Sequence, residues 1–173
     1  QSNKPILCYS YAEAVQQLGY SKDWAKYTLC EVMYSQFALY NRGPVVFVNV
    51  LDPQTHKKST SSKNVTVTNK VAKVDAPVLL DTLQIKASTA GSALIAGSDY
   101  EAAYDDDGVL VITLLDDGTA TAASNLTLTY DEIDAAAVDA DDIIGGINVS
   151  DGSVKGLECL NKVFPITGLV PGI

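Results

Sequence analysis

The sequence has few of the residues that catalytic and metal sites use most. His56 is its only histidine. Its three cysteines are odd in number and lie far apart in apolar surroundings: Cys8, Cys30 and Cys159. A Ser-His-Asp triad or a Cys-His dyad needs an imidazole held beside its nucleophile. A CxxC metal site or a disulfide framework needs paired cysteines. We therefore expect three reduced core cysteines and a solvated surface histidine in a mobile connector.

Positive charge is also scarce. The net charge is -9 and the sequence pI is about 4.4, which excludes the basic surface that binding to a nucleic-acid backbone requires. Between residues 87 and 154 every charged side chain is Asp or Glu, so this segment is expected to face solvent as an acidic lobe. The N-terminus has no apolar signal region and no run reaches membrane-spanning length. We expect no membrane insertion, and synthesis in a reducing, bacterial-type cytoplasm.

Motifs for chemistry are absent as well. No HExxH, P-loop or GxGxxG pattern occurs. The aspartates before Gly108 fail as an EF-hand loop, because Ala103 and Leu114 occupy the positions that need Asp and Glu. Asp and Gly are also what tight turns require, so we interpret these clusters as turns. The sequence predicts no catalytic, cofactor-binding or metal-ligating residue and no cofactor, although paired carboxylates for glycoside hydrolysis stay open as an alternative.

What the sequence does contain is organised around residues 23–52. Asp23 is a candidate N-cap for a long helix. Apolar residues at steps of three and four then define one helical face: Trp24, Tyr27, Cys30, Met33 or Tyr34, Phe37 and Tyr40. This face indicates a core stripe in preference to a ligand groove. Residues 41–44 end the helix with Asn, Gly and Pro, and residues 45–51 follow as a strand that is apolar on both faces, as is typical of burial between layers.

A strand and a helix precede this stretch. Residues 5–9 read as a short buried strand, after which Ser10 and Glu13 form a capping box for a helix that Gly19 ends. Strand, helix, helix and strand then predict a crossover unit. We expect its two strands to be parallel and the connection to be right-handed.

After Pro53 the composition changes. Residues 54–63 are polar and predict a connector. After them apolar residues recur at every second position, as is typical of half-buried strands. Residues 99–115 carry a hairpin signal around Asp105–Gly108, and residues 140–144 favour one helical turn. A helical period returns at Leu157, Leu160, Val163 and Phe164, with Pro165 expected beyond the helix.

The predicted fold class is therefore α+β. An incomplete α/β layer domain, residues 1–53 and 153–173, supplies strand, helix, helix, strand and a C-terminal helix. It is interrupted by an inserted antiparallel β-sandwich or barrel at residues 64–152, after a linker at 54–63. Because an apolar strand pattern starts where the sequence stops, near residue 169, we expect a fragment of a longer protein.

Four segments carry a family resemblance. Residues 10–19, 32–40, 41–43 and 45–52 resemble the tail sheath proteins of contractile phage tails and prophages, and the order of parts is similar too. Arg42 and Asn49 depart from the pattern, since Gly and Arg are common there. The resemblance implies that residues 65–149 are an inserted β-sandwich and that the chain then returns, from Gly156 onward, to a subtilisin-like α/β portion without protease function.

The resemblance also implies a role. It predicts a structural, non-enzymatic subunit that polymerises helically around a tail tube and contracts to drive the tube through the host envelope. Its partners would be other sheath copies, bound through terminal arms that this sequence does not contain, and the tail tube protein. Its location would be the virion tail sheath.

Two other function classes stay open from the residues alone. The β domain could be a module that binds carbohydrate or a host surface, for which Tyr100 and Tyr104 are the candidate aromatics, although their spacing favours the core. The acidic segment could also belong to a hydrolase, which we consider the weaker alternative.

Overall fold

A computed structural model describes residues 2–170. The chain forms two compact units. Unit 1 contains the described parts of Gln1–His56 and Asp134–Ile173, and unit 2 is Lys57–Ile133. Helices and several antiparallel sheets occur together, so the predicted α+β class is confirmed.

The first part of unit 1 has two strands and two helical segments. Its elements are β1 (Pro5–Cys8), α1 (Tyr11–Leu18), α2 (Thr28–Met33), a π-helical continuation (Tyr34–Leu39) and β2 (Val45–Val48). The predicted capping of α1 is largely confirmed. Ser10 Oγ accepts the amide of Glu13 at 3.2 Å, and the Glu13 carboxylate accepts the amide of Tyr9, one residue earlier than expected, at 2.9 Å. Gly19 ends the helix at φ 78°.

The predicted start of the second helix was wrong. Asp23 caps a separate turn, in which its side chain accepts the amide of Lys26 at 3.3 Å and its carbonyl accepts the amide of Tyr27 at 2.9 Å. Helix α2 begins only at Thr28. The predicted stop is confirmed, since Asn41 takes the left-handed conformation at φ 48° and Arg42 donates its amide to Gln36.

The two strands of this part are antiparallel, so the predicted parallel crossover was wrong. Pro5 pairs with Val48 and Cys8 with Val45. Two helical segments with a turn between them connect the strands, so the path has one more place where the chain can reverse than the two that a single crossover helix provides. A single crossover helix would reverse the chain once less and give parallel strands.

The core of unit 1 is small. Its buried apolar side chains come from β1, α1, α2, the π-helical continuation and β2: Ile6, Cys8, Ala14, Met33, Phe37 and Phe47. In β2 only Phe47 is buried, while its neighbours are half-buried. The expectation of a strand covered on both faces is therefore not met within the described residues.

Unit 2 consists almost wholly of short strands. They are β3 (Lys57–Thr66), β4 (Val71–Val74), β5 (Gln84–Lys86), β6 (Tyr100–Tyr104), β7 (Leu110–Leu114) and β8 (Asn125–Ile133), with a 3-10 turn at Leu80–Thr82. Two antiparallel sheets result, with strand orders β3-β8-β5 and β4-β7-β6. The hairpin predicted from residues 99–115 is the β6–β7 pair, in which Tyr104 is opposite Leu110.

One core lies between the two sheets of unit 2. Alternate residues of β8 are fully buried, as the period of two predicted: Leu126, Leu128 and Tyr130. Side chains of β4, β5, β6 and β7 join them in one cluster. Two sheets that share a core form a sandwich, and the described residues contain no closed barrel.

The predicted connector is mostly strand. Residues 57–63 belong to β3, which pairs with β8 from Lys57 opposite Ile133 to Thr66 opposite Asn125, with a bulge between Thr60 and Lys63. Strand β3 lies at the edge of its sheet and is mainly exposed. An exposed edge strand is rich in polar and charged residues, which is why its sequence resembled a linker.

The rest of unit 1 is built from short elements. A 3-10 turn (Ala135–Ala137) is followed by α3 (Ala140–Ile144), the two-residue strands β9 (Gly146–Ile147) and β10 (Val154–Lys155), a 3-10 helix (Gly156–Lys162) and α4 (Val163–Thr167). The helical turn predicted at residues 140–144 is confirmed. Pro165 lies inside α4, not beyond it, because a proline in the first turn of a helix removes no intrahelical hydrogen bond.

A buried aspartate organises one end of the sandwich. Asp99 accepts the amide of Ile95 at 2.7 Å and both the amide and the hydroxyl of Thr119 at 2.8 Å. These donors stabilise the ionised carboxylate, so the pKa of Asp99 lies below its ordinary value, mainly through Ile95 and then Thr119. Gly118 packs directly on this residue, since a Cβ there would lie 2.8 Å from the Asp99 carbonyl oxygen.

Truncation of the sandwich core should destabilise unit 2. Leu128 is fully buried on the central strand β8. We expect L128A to lower the free energy of unfolding by about 2–5 kcal/mol, since it removes buried methyl groups and leaves a cavity. I95A is the matched control, because Ile95 is 65% exposed, and it should change stability by less than about 0.5 kcal/mol. Chemical denaturation measures both, and equal effects would contradict this account of the core.

Acid should destabilise unit 2 through Asp99. Its folded pKa is depressed, so its contribution to stability is present above the ordinary carboxylate pKa and is lost as pH falls through the lower folded value. In D99N the side-chain NH2 replaces one acceptor oxygen and faces a backbone N–H. We expect D99N to melt several degrees lower at pH 7 and to lose less stability than the wild type between about pH 5 and pH 2.

Thermal melts across this pH range measure the Asp99 effect. D106N is the control, because Asp106 is an exposed turn residue. Identical acid profiles for D99N and D106N would exclude Asp99 as the source of the acid sensitivity.

Candidate interaction surface

Unit 1 carries an apolar groove. Its volume is about 470 Å³. Its walls come from the end of α1, the turn before α2, α2 itself, and the end of β2 with the residues after it. The segment from the 3-10 turn Ala135–Ala137 to α3 and the 3-10 helix Gly156–Lys162 complete them. Among the described residues that line it, Lys26 is the only charged one and none is acidic. Such a surface suits apolar contact with a macromolecule better than chemistry on a polar substrate.

Apolar exposure continues beyond the groove. On α3, β9, the following loop and the C-terminal helical segments, large aliphatic and aromatic side chains are open to solvent: Ile143, Ile144, Ile147, Val149, Leu157, Leu160, Phe164 and Ile166. Ile143, Leu157 and Leu160 belong to both this group and the groove. We call the groove and these side chains the apolar surface of unit 1. Contiguous apolar surface on a protein commonly marks an interaction site.

The aromatic helix face is divided between core and surface. Cys30, Met33 and Phe37 are buried, as the stripe predicted. Tyr27 lines the groove, as do the buried Cys30 and Met33, and Tyr40 is exposed beyond the end of the helix. The sequence pattern alone could not separate these two outcomes, because both give the same spacing.

The three cysteines are free and buried, as predicted. Burial raises the pKa of the Cys8 thiol, and the nearby Glu13 carboxylate adds to this effect. Burial also raises the pKa of Cys159, whose thiol donates to the carbonyl of Asn3 at 3.4 Å. A raised thiol pKa lowers the thiolate fraction, so Cys8 and Cys159 do not have the character of nucleophiles.

The prediction for His56 was wrong. Its ring is not solvated but buried, at 7% exposure, and both ring nitrogens have partners in unit 1. Its polar neighbours in the sequence suggested a mobile linker. The signal that reasoning from the sequence missed is Asp52 four residues earlier, which forms a hydrogen-bonded turn with His56.

The aspartate clusters act as turn formers. Asp105 accepts the amides of Asp107 and Val109 at 3.1 and 2.9 Å, and Gly108 takes φ 77°. Within residues 2–170, no three His, Cys, Asp or Glu side chains are grouped as they would be to hold a metal ion. The same span contains no helix long and apolar enough to cross a membrane.

The acidic segment is not an unbroken negative surface. Lysines of β3, β4 and the turn before β4 pair with it across the sandwich sheets: Lys57 with Asp131, Lys58 with Glu132, Lys70 with Asp116 and Lys73 with Asp105. The hydrogen bond from Lys57, followed by one from Ser59, lowers the pKa of Asp131. Exposed pairs of this kind add little stability. These lysine–carboxylate pairs do reduce the negative surface charge that the sequence predicted for this segment.

The aromatics proposed for carbohydrate binding are mostly used by the sandwich. Tyr100 is buried in the core of unit 2. The hydroxyl of Tyr104, which is partly exposed, donates toward the carbonyls of Val78 and Ala76 at 2.7 and 3.2 Å. A flat, open aromatic platform for a sugar ring does not result from these two residues.

A comparison with known proteins finds a relative of this chain in a bacteriophage. The chain is 30% identical over 172 residues to the tail sheath protein of Burkholderia phage BcepMu, an alignment that covers 96% of this chain. The chain is related to the tail sheath proteins. The resemblance predicted from residues 10–52 is thereby confirmed. The chain spans about a third of this relative's length, 34%. No protein-family model and no solved structure matches the chain.

A charge on the apolar surface of unit 1 should weaken self-association without unfolding the protein. Leu157 is 57% exposed on this surface. We expect the wild-type chain to associate weakly as its concentration rises, and L157D to associate less, because a carboxylate resists burial in an apolar contact. I95D on unit 2 is the matched control, since Ile95 is similarly exposed. Sedimentation velocity over a concentration series measures this, and equal loss in both variants would show that the surface is not used.

Proposed function

We propose that this chain is part of a structural subunit of a contractile tail sheath. Many copies would polymerise helically around a tail tube and contract to drive the tube through the host envelope. The similarity to the tail sheath protein of Burkholderia phage BcepMu over 96% of this chain carries the proposal. Because the chain spans 34% of that relative, polymerisation, contraction and tube contact belong to the proposal.

The division of the chain supports the proposal. Unit 1 is formed by two segments that are separated in sequence by the β-sandwich of unit 2. We assign unit 1 to the sheath-type domain and unit 2 to the inserted domain. The boundaries that we propose, after His56 and before Asp134, differ from residues 64 and 152 expected from the sequence. The first differs because β3 belongs to the sandwich, and the second because the segment from Asp134 onward belongs to unit 1.

The apolar surface of unit 1 gives the proposal a physical basis. Burial of apolar area stabilises an assembly by roughly 25 cal/mol per Å². Leu157, Leu160 and Phe164 together offer such area. In a sheath with two packed states, contraction would draw its work from the difference in contact free energy between these states, with subunits that move as rigid bodies. The role is then non-enzymatic, and the partners are other sheath copies and the tail tube protein.

The proposed location is the tail sheath of a virion, with no role for nucleic acid. A binding module is the other function class that the sequence left open. Tyr100 is taken up by the core, so no observation on unit 2 favours carbohydrate binding over a sheath role.

Immunogold electron microscopy tests the sheath assignment. Antibodies raised against the 173-residue chain would be applied to intact particles from the organism that encodes it. Because sheath subunits repeat along the tail, we expect regularly spaced label along the sheath, with closer spacing on contracted tails. Antibodies pre-absorbed with the chain serve as the control and should remove the label.

Other labelling patterns would contradict the proposal. Label on tail fibres alone would favour the surface-binding alternative. Label on the head, or none on contractile tails, would exclude a sheath role.

A further inference from the structure

His56 connects three parts of unit 1. The backbone amide of His56 donates to the carbonyl of Asp52 at 2.7 Å, and its carbonyl accepts the amide of Asp134 at 2.9 Å. The chain leaves unit 1 immediately after His56 and returns at Asp134. The His56 ring reaches Asp142 on α3. One residue therefore holds together the outgoing segment, the returning segment and α3.

The contacts of the ring define its tautomer. Nδ1 accepts the amide of Asp52 at 2.9 Å, and a backbone N–H can only donate. Nδ1 is therefore unprotonated. Nε2 lies 3.0 Å from Oδ2 of Asp142, and an ionised carboxylate can only accept. The proton is then on Nε2, and the neutral ring satisfies both partners.

The Asp142 carboxylate is held in its ionised form. It caps α3 by accepting the amide of Asp139 at 3.2 Å, and its other oxygen accepts Nζ of Lys155 at 3.3 Å. These donors lower its pKa, with Asp139 as the largest cause. The charged groups around the ring are thus Asp142 from α3, Lys155 from β10 through Asp142, and Asp52, whose own carboxylate accepts the amide of Gln54.

We propose that His56 joins the outgoing and returning segments of unit 1 only while its ring is neutral and protonated on Nε2. This connection, which we call the latch, opens in acid. A proton added to Nδ1 points at the Asp52 N–H, so two donors face each other and the hydrogen bond between them is lost. Attraction between the protonated ring and Asp142 opposes the opening. Lys155 and the Asp139 amide already share that carboxylate, which weakens this attraction, and the proposal requires the loss at Asp52 to outweigh it. The carbonyl of His56 and the return at Asp134 then lose their fixed support.

Nuclear magnetic resonance on the wild-type chain tests the latch directly, because the sequence has a single histidine. Long-range ¹H–¹⁵N spectra should show a protonated Nε2 and an unprotonated Nδ1 at neutral pH. As the ring titrates, the exchange protection of the Asp52 amide, corrected for intrinsic rates, should fall on the order of tenfold. The Gln54 amide is the internal control, because its hydrogen bond goes to the Asp52 carboxylate and not to the His56 ring.

A variant separates the ring from other acid effects. His56→Asn places its side-chain oxygen near the position of Nδ1 and does not titrate, so the Asp52 amide should keep its protection through the pH range in which the wild type loses it. Three results would each overturn the proposal. They are a protonated Nδ1 at neutral pH, an Asp52 amide that does not respond to ring titration, and a ring that stays neutral until the chain unfolds.

Discussion

The antiparallel pairing of β3 with β8 is the constraint on which the whole arrangement depends. It runs from Lys57 opposite Ile133 at one end to Thr66 opposite Asn125 at the other. The two ends of unit 2 are thereby neighbours. Since His56 precedes Lys57 and Asp134 follows Ile133, the chain leaves and returns to unit 1 at adjacent points, and a hydrogen bond joins His56 to Asp134 there. Two segments far apart in sequence can therefore form one unit without a long closing loop.

The strands of unit 2 were largely predictable because each central strand has one face in the core. On β8 the alternation of Leu126, Leu128 and Tyr130 with polar residues corresponds directly to burial. The same reasoning failed for β3, whose lysines and serines lie on an exposed edge. An edge strand receives its order from its partner and not from its own side chains, so its sequence resembles a connector. The burial of His56 was missed for the same reason, because its partner Asp142 is distant in the sequence.

In unit 1 the elements were predictable but their directions were not. Hydrophobic period and capping residues located α1 and the end of the π-helical continuation. Whether β1 and β2 run parallel depends on how many times the chain reverses between them, and the turn at residues 23–27 is an additional place where it can reverse. Local patterns indicate where a helix lies, whereas strand direction is a property of the path between elements.

The apolar surface of unit 1 was the feature least predictable from the sequence, and the contrast between the units explains why. In unit 2 two sheets cover each other's apolar faces, so apolar periodicity corresponds to burial. In unit 1 the two strands and short helices cover only a small core, and side chains such as Leu157 and Phe164 have the same helical spacing as core residues yet are exposed. Apolar periodicity predicts that one face of an element is buried. It does not indicate whether that face packs against the same chain or against another molecule. In the sheath role that we propose, the exposed face is the part of the molecule whose free energy would depend on assembly.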